Sequence, residues 1–381
     1  MAGTPAEIKP GTPPVPFHCL QSCYGRRMAN ARGLAVNQLE ELDVELEHIL
    51  TSFDSSYAWN YRSVKEGLRD LYEKAKRDQW NGTTQLPWQT DVDPEGEIVP
   101  AVINPLVGYA PYERLDEKEK RRMRHAQIAL QLSQFLHGEQ GALIVASQLV
   151  GAVPWIDAKY YAGTQTMDEA RHVEVFSRYL TEKLEWQWPV NESLKELLDA
   201  TISDARWDFK YLGMQIIIEG LAMAAFGNLF QMAQEPLLKD LLKYVMKDES
   251  RHVAFGVLSL REFCADLSEK DREEREEFVY EACVLMRDRI TNREVWEAMG
   301  LDADECIALA DESELAKQFR YRLFSKIVPN VKSLGLLSSR QRARFEQLGI
   351  LEFETNTTSD VDQDIEEERR VRAGEREPAA A

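Results

Sequence analysis

The chain has 381 residues, 44% of them hydrophobic, and a formal net charge of −19 at pH 7. This acidic balance argues against nucleic acid and anionic membranes as partners, because both repel negative charge. Five scattered cysteines, an odd number, argue against a disulfide framework and favour a reducing cytoplasm. We see no secretory signal and no apolar run near the roughly eighteen residues of a membrane helix. We therefore expect a soluble, cytoplasmic protein.

The first part of the chain predicts an arm and an extension that precede the main body. Residues 1–33 are punctuated by prolines and predict an extended N-terminal arm. Residues 34–115 predict two helices, at about 37–51 and 61–76, followed by a loop at 91–111. The tryptophan-bearing segment QWNGTTQLPW lies between the second helix and this loop.

The main body is predicted to span residues 116–350 as a helical bundle with C-terminal helices. From residue 116 to about 298 the apolar pattern is helical almost throughout, and no alternating pattern indicates a sheet. Asp116 with Glu119 three residues later predicts a capping box that opens a long helix. Residues 351–381 contain many acids and few apolar groups, and they predict an acidic disordered tail. The chain is thus predicted to be all-α.

Two glutamates interrupt apolar helical stripes, where a carboxylate is costly unless it is paired. Glu139 lies within the stripe that runs from Ile128 to Val150 on the predicted long helix. Glu219 lies within the apolar segment MQIIIEGLAMAAF. Both positions place an acid where a core side chain is expected, which indicates a shared function.

A repeat of 80 residues connects these glutamates with two short motifs. The motifs DEARH at 168–172 and DESRH at 248–252 are 80 residues apart, as are Glu139 and Glu219. Each half therefore holds a glutamate and, thirty residues later, a Glu-x-x-His motif. In a helix the i, i+3 spacing puts both side chains of that motif on one face. Duplication of one supersecondary unit is the simplest explanation.

A proline lies near the middle of each half of the repeat. Pro154 is 15 residues from both Glu139 and Glu169, and Pro236 has a similar place in the second half. If each proline marks the turn of a helical hairpin, its two glutamates lie at the same height, since both helices rise about 1.5 Å per residue. The repeat therefore predicts two hairpins that converge on one buried cluster.

This cluster would contain four carboxylates and two imidazoles. Without counter-ions it would be strongly destabilising, because like charges repel and buried charges lose hydration. Two divalent cations would neutralise four carboxylates, and the donor set suits iron or manganese. One Glu from each of two helices with Glu-x-x-His from two others is the ligand set of ferritin-like dimetal bundles. We therefore predict a ferritin-like four-helix bundle with additional flanking helices. The predicted catalytic and metal-binding residues are Glu139, Glu169, His172, Glu219, Glu249 and His252.

Residues 116–260 resemble the ferritin-like diiron-carboxylate superfamily, on the strength of these six positions. The doubled D-E-x-R-H motif looks most like the hydroxylase subunits of bacterial multicomponent monooxygenases. It is also similar to ribonucleotide reductase small subunits, R2-like ligand-binding oxidases and diiron arylamine N-oxygenases. The resemblance implies two iron ions, or a mixed manganese–iron pair, and an O2-dependent oxygenase or oxidase. It also implies a separate electron donor and a small organic substrate.

Three positions depart from the patterns of these families. Phe176 stands where ribonucleotide reductase small subunits typically place a radical tyrosine. Met223 stands where monooxygenase hydroxylases usually carry a threonine, and Val245 where the N-oxygenases add a seventh ligand, a histidine. No single family fits cleanly, so hydroxylation, N-oxygenation and desaturation stay open. An R2-like oxidase and a non-catalytic ferritin-like iron-handling protein are the alternatives, and a homodimer is one assembly open to the chain.

Small and apolar residues lie one turn from the six predicted ligands. They indicate either close helix packing or a cavity for an apolar or aromatic substrate. These residues are Phe135, Ala142, Leu143, Phe176, Ala222, Met223, Phe226 and Gly256.

The remaining charges of the two motifs predict support for the histidines. A metal-bound histidine nearly always donates its other ring N–H to a carboxylate or carbonyl group. We expect Asp248 to serve His172 across the bundle and Asp168 to serve His252. The arginines of the motifs should neutralise these aspartates; they are Arg171 and Arg251.

Overall fold

A computed structural model describes residues 34–35, 49–101, 104–288, 292–313, 317 and 322–356. The predicted arm, most of the predicted helix at 37–51 and the chain beyond residue 356 lie outside the described residues. The helices are α1 (Glu66–Arg77), α2 (Gly82–Gln85), α3 (Ala110–Glu113), α4 (Glu117–Ala152), α5 (Ile156–Tyr179), α6 (Glu192–Ser203), α7 (Trp207–Tyr211), α8 (Glu219–Met232), α9 (Pro236–Ala265), α10 (Glu269–Asp288), α11 (Arg293–Ala298), α12 (Ala303–Glu312), α13 (Ile327–Ser333) and α14 (Ser339–Gln347). Two-residue strands, β1 (Leu34–Ala35) and β2 (Trp186–Gln187), pair antiparallel.

Four long helical segments form the bundle, which confirms the predicted ferritin-like, all-α fold. They are α4, α5, α9 and the continuous segment Trp207–Met232, in which a π-helix, Leu212–Ile218, joins α7 to α8. Both predicted hairpin turns are present. Pro154 lies between the end of α4 at Ala152 and the start of α5, and Pro236 is the first residue of α9.

Polar caps begin two of the bundle helices. The side chain of Asp116 accepts a hydrogen bond from the backbone of Glu119, and the Glu119 side chain accepts one from the backbone of Asp116, both at 2.8 Å. This is the predicted capping box. Glu235 caps α9 by accepting from the backbone N–H groups of Leu237 and Leu238. Each cap satisfies amides that have no partner inside the helix.

The segment Trp207–Met232 is long and apolar enough to cross a membrane, contrary to our expectation that the sequence holds no such run. However, 72% of its most apolar stretch is buried inside the protein. The segment is apolar around its circumference because the other bundle helices and the flanking helices surround it, which identifies it as a core helix.

The flanking helices α1 and α10 pack against the outside of the bundle, α1 on α5 and α9. The first of these begins at Glu66 rather than near residue 61. Asp157, at the start of α5, accepts hydrogen bonds from the Ser63 hydroxyl and from the backbone N–H groups of Val64 and Lys65. These bonds hold the preceding residues outside the helix.

The packed part of the chain also extends past the predicted boundary at residue 350. Leu351–Thr355 forms a 3-10 helix, and the side chain of Phe353 is buried. The predicted start of the tail is therefore about five residues too early. A single aromatic residue among acids was too weak a pattern to indicate packing.

Candidate dimetal site

The six predicted ligands lie together in the middle of the bundle, and the four long segments each contribute. Glu139 comes from α4, and Glu219 is the first residue of α8, directly after the π-helix. The Glu-x-x-His pairs come from α5 and α9. Each of the six residues is at most 5% exposed.

Their donor atoms form two overlapping groups. Glu139, Glu169, His172 and Glu249 each offer one atom within 4.8 Å of the others. Glu169, Glu219 and His252 do the same, so Glu169 belongs to both groups. Two groups that share a carboxylate are the arrangement expected for two ions held side by side.

Both histidines turn Nδ1 towards the carboxylates. His172 Nδ1 lies 3.2 Å from Glu139 Oε2 and 3.1 Å from Glu249 Oε1. His252 Nδ1 lies 3.0 Å from Glu169 Oε1. The Nδ1 atoms are therefore the nitrogens available to a metal ion.

The opposite ring nitrogens face the aspartates in the predicted crossed arrangement. His172 Nε2 is 3.1 Å from Asp248 Oδ2, and His252 Nε2 is 3.4 Å from Asp168 Oδ2. An imidazole that donates from Nε2 keeps Nδ1 free of a proton, which is the form that a metal binds. The aspartates are at most 1% exposed, so a surface ion pair does not describe them.

Each arginine contacts both aspartates, rather than one as we expected. Arg171 Nη2 lies 2.5 Å from Asp168 Oδ1 and 2.9 Å from Asp248 Oδ2. Arg251 forms a short hydrogen bond to Asp248 and lies 3.7 Å from Asp168. Two cations and two anions thus form one closed, buried network behind the histidines.

Two residues that the sequence did not single out complete this network. Trp80 donates its indole N–H to Asp248 Oδ2 at 2.6 Å, and Gln79 donates to Asp168 Oδ1 at 2.9 Å. The Arg171 guanidinium also lies over the Trp80 ring, 4.7 Å from its centroid. Both residues follow α1, in the tryptophan-bearing segment. The sequence did not indicate this role, because a tryptophan or glutamine in a loop is compatible with many kinds of contact.

Two buried glutamines on the other side of the cluster were also missed. Gln165 donates to Glu169 Oε1 at 3.0 Å and to Glu219 Oε1 at 2.8 Å. Gln215, in the π-helix, donates to Gln165 Oε1 at 3.3 Å. Both lie one turn before a ligand, a spacing that the sequence could have shown.

Burial and the crowding of charge shift the pKa values of the cluster. Burial, followed by the negative charge of Glu249, raises the pKa of Glu139 and Glu219 well above the usual range. Burial also acts on Glu169, but His252 and His172 outweigh it and lower the pKa of that carboxyl group. Burial would lower the pKa of both histidines, yet the surrounding carboxylates raise it well above 6.5. These shifts show that the buried cluster is stabilised by added positive charge, whether from protons or from metal ions.

Several ligand atoms have no hydrogen-bond partner among the described residues, and this bears on whether metal ions fit the site. The buried atoms that make no well-aligned hydrogen bond, although some lie close to another ligand atom, are Glu169 Oε2, Glu219 Oε2, Glu249 Oε1 and Oε2, and His252 Nδ1. A buried carboxylate oxygen without a partner is destabilising, and a cation supplies both the bond and the charge. Oxygen donors with one imidazole in each group are suited to iron or manganese. The six proposed ligands are therefore suited to hold two iron or manganese ions.

The side chains around the cluster are closely packed at several of the positions that we considered for a cavity. Phe135 lies 4.6 Å from Phe226 and 5.9 Å from Phe176 between ring centroids. A Cβ atom at Gly256 would lie 2.5 Å from the Cβ atom of Gln215, so this glycine makes room for that side chain rather than for a ligand. A substrate cavity at the remaining positions stays a prediction.

A cleft opens at one end of the bundle, between α4 and the residues 94–101 and 104–105. Ile128 on α4 and Met232 at the end of α8 both line it. These helices carry Glu139 and Glu219, which lie 11 and 13 residues away along the chain. At about 1.5 Å per residue the cleft is roughly 16–20 Å from the ligands.

Comparison with known proteins gives one family match. The model of the family described as p-aminobenzoate N-oxygenase AurF matches residues 62–335. No curated protein matches the chain. Among solved structures, an R2-like ligand-binding oxidase with aerobically reconstituted metal cofactor after photoconversion is similar, with a TM-score of 0.44 and 17% identity over 70% of this chain and 92% of that chain. A mutant described as having an anaerobically reconstituted Mn/Fe cofactor has a TM-score of 0.43 and 18% identity over the same shares.

Proposed function

Because the chain belongs to the AurF family of diiron N-oxygenases, we propose that it transfers oxygen from O2 to the nitrogen of a small aromatic amine. The chain is an oxidoreductase of the diiron type, with two metal ions, Fe or Mn/Fe, and with O2 and a small molecule as substrates. The aromatic amine is the finer proposal. It is supported by the substrate in the family's name, p-aminobenzoate, and by three phenylalanines that pack together and lie one or two turns from the ligands along their helices.

The proposed ligands are the six buried residues of the repeat. The observation that carries this assignment is the convergence of their unpartnered oxygen and nitrogen atoms on two overlapping groups. When bound, a reduced pair of such ions supplies electrons that activate O2. The aspartates and arginines behind the histidines orient the imidazoles, and the packed apolar side chains exclude water from the reacting atoms.

We propose that the substrate approaches through the cleft at the end of the bundle. Ile128 and Met232 line that cleft, and Phe135 and Phe226 lie on the same two helices between it and the ligands. An aromatic ring can stack on or displace these phenylalanines with little loss of apolar contact. Val245 stands where related N-oxygenases add a histidine ligand, so this chain would work with six ligands. The electron donor, a homodimeric assembly and a cytoplasmic location stay predictions from the sequence.

The test is an isotope experiment with the iron-loaded protein. Reduced protein is mixed with 18O2 and a panel of aromatic amines, p-aminobenzoate included, and products are analysed by mass spectrometry. We expect 18O on the amine nitrogen, and none in a Glu219→Ala protein, which lacks one proposed ligand. Label on ring carbon alone would contradict N-oxygenation while leaving the oxygenase class intact.

A further inference from the structure

Two buried glutamines, Gln165 and Gln215, support the proposed ligands Glu169 and Glu219 through hydrogen bonds. The Gln165 side chain is fully buried, and its single amide nitrogen bridges Glu169 and Glu219. Gln215 is also fully buried and donates to the oxygen of the Gln165 amide. The pair therefore forms a two-step chain of hydrogen bonds that ends on two carboxylates.

The chemistry of the carboxylates determines which way both amides face. A carboxylate that binds a metal ion is ionised and only accepts hydrogen bonds, so with the ions bound Gln165 must present its nitrogen to Glu169 and Glu219. The oxygen of Gln165 then faces Gln215, which must present its own nitrogen. Gly256 leaves room for Gln215 at this position, because a Cβ atom there would lie 2.5 Å from that of Gln215. Neither amide has freedom to flip.

This support has no counterpart in the other half of the repeat. The residue 80 positions after Gln165 is Val245, which cannot donate from its side chain. The two carboxylates that receive the bonds belong, with His252, to one of the two donor groups. Glu139, in the other group, lies within 3.2 Å of His172 Nδ1 instead. The six ligands therefore recur in both halves of the repeat, whereas the glutamines that support them occur only beside one donor group.

We propose that Gln165 and Gln215 are positioning residues for one metal ion, the ion held by Glu169, Glu219 and His252, and that they make the two ions unequal in affinity. Hydrogen bonds to a ligating carboxylate hold it in its binding orientation, and their loss typically weakens metal binding about 10–100-fold. The group of Glu139, Glu169, His172 and Glu249 retains three ligands that the pair does not touch. The inference rests on the proposed ligand set.

The experiment is an anaerobic titration of metal-free protein with Mn2+, in which free Mn2+ is measured by electron paramagnetic resonance. We expect the wild-type protein to bind two ions per chain. Gln165→Met keeps the size of the side chain and removes its donors, so the ion held by Glu169, Glu219 and His252 should weaken about 10–100-fold. The other ion shares only Glu169 with the pair and should weaken much less. Gln215→Met leaves Gln165 in place but unsupported, and should weaken the first of these ions by less.

A matched control is Gln341→Met, which removes a fully buried glutamine whose nitrogen donates to the Glu276 carbonyl in α10. Both ions should bind to this variant as they do to wild type. Folding of each variant is checked by circular dichroism. Equal weakening of both ions in Gln165→Met and Gln215→Met would indicate a general structural role and overturn the inference, as would no change in either variant. If the wild-type protein itself binds no ions, the proposed ligand set fails instead.

Discussion

Asp248 accepts hydrogen bonds from four different side chains, which indicates a role beyond packing. His172, Arg171 and Trp80 donate to its Oδ2 atom, and Arg251 donates to Oδ1. Burial raises the pKa of this carboxyl group, but the hydrogen bond from His172 and the charges of His172 and the arginines outweigh it and lower the pKa. Asp248 therefore stays ionised and keeps the proton of His172 on Nε2.

Asp248→Asn should lower metal affinity about 10–100-fold without unfolding the helix, because an amide orients the imidazole less strongly than a carboxylate. Affinity is measured by competition with a chelator of known strength. Asp240→Asn, which changes an exposed aspartate of the same helix, is the control. Unchanged affinity in the Asp248 variant would mean that the carboxylate has no role in orienting His172.

Tyr161 lies two turns before the proposed ligand Glu169 on α5, which makes it the candidate for radical formation that we test. Its hydroxyl group is buried, has no hydrogen-bond partner among the described residues, and has a pKa that burial raises. Oxidation of a tyrosine to a stable radical requires a base to take the proton, and none contacts this hydroxyl. We therefore expect no long-lived tyrosyl signal by electron paramagnetic resonance after O2 is added to the reduced iron protein. A persistent signal that disappears in Tyr161→Phe would show that this reasoning is wrong.

At the scale of elements, the sequence predicted the bundle because its determinants are local and repeated. Pro154 and Pro236 mark the hairpin turns, and Asp116 with Glu119 forms the expected cap. The π-helix at Leu212–Ile218 was not predicted, since its apolar residues also fit an α-helix. Gln165 and Gln215 were missed for another reason. Neither glutamine has a counterpart in the other half of the repeat, so the repeat carried no information about them, although each lies one turn before a ligand.

Lys210 in α7 is a buried lysine whose hydrogen bonds connect three helices. Its Nζ atom donates to Gln148 Oε1 in α4 at 2.6 Å and to the Ile202 carbonyl near the end of α6 at 2.9 Å. Burial lowers the pKa of Lys210 from 10.5 to about 8. The folded protein thus carries an unfavourable buried charge below pH 8, and this penalty disappears as pH rises from about 8 to the unfolded pKa near 10.5.

The free energy of unfolding of the wild-type protein should therefore rise relative to Lys210→Met between pH 7 and pH 10. The lowered pKa of Lys210 predicts that this rise in the free energy of unfolding is at most about 3 kcal/mol. Denaturant unfolding of both proteins at the two pH values measures the difference, which cancels titrations that they share. An identical pH dependence in both proteins would contradict a depressed lysine pKa.

At the scale of the whole molecule, the last packed element is the 3-10 helix Leu351–Thr355. Glu354 forms an ion pair with Arg342, and its carbonyl group accepts a hydrogen bond from Lys332 at 2.9 Å. Truncation after Asn356 should leave the melting temperature and the metal content nearly unchanged. Truncation after Ile350 also removes the buried Phe353, and should cost about 1.5–3 kcal/mol of stability. Thermal unfolding of both truncated proteins distinguishes these outcomes, and a large loss from the shorter truncation would show that residues beyond 356 pack on the body.

The central claim, that six buried side chains hold two metal ions, has a direct test in anomalous X-ray scattering. Crystals of iron-loaded protein are measured on both sides of the iron absorption edge, so that only iron contributes to the difference. We predict two peaks per chain, one among Glu139, Glu169, His172 and Glu249, and one among Glu169, Glu219 and His252. Peaks only elsewhere in the protein, or none in fully loaded crystals, would contradict the assignment.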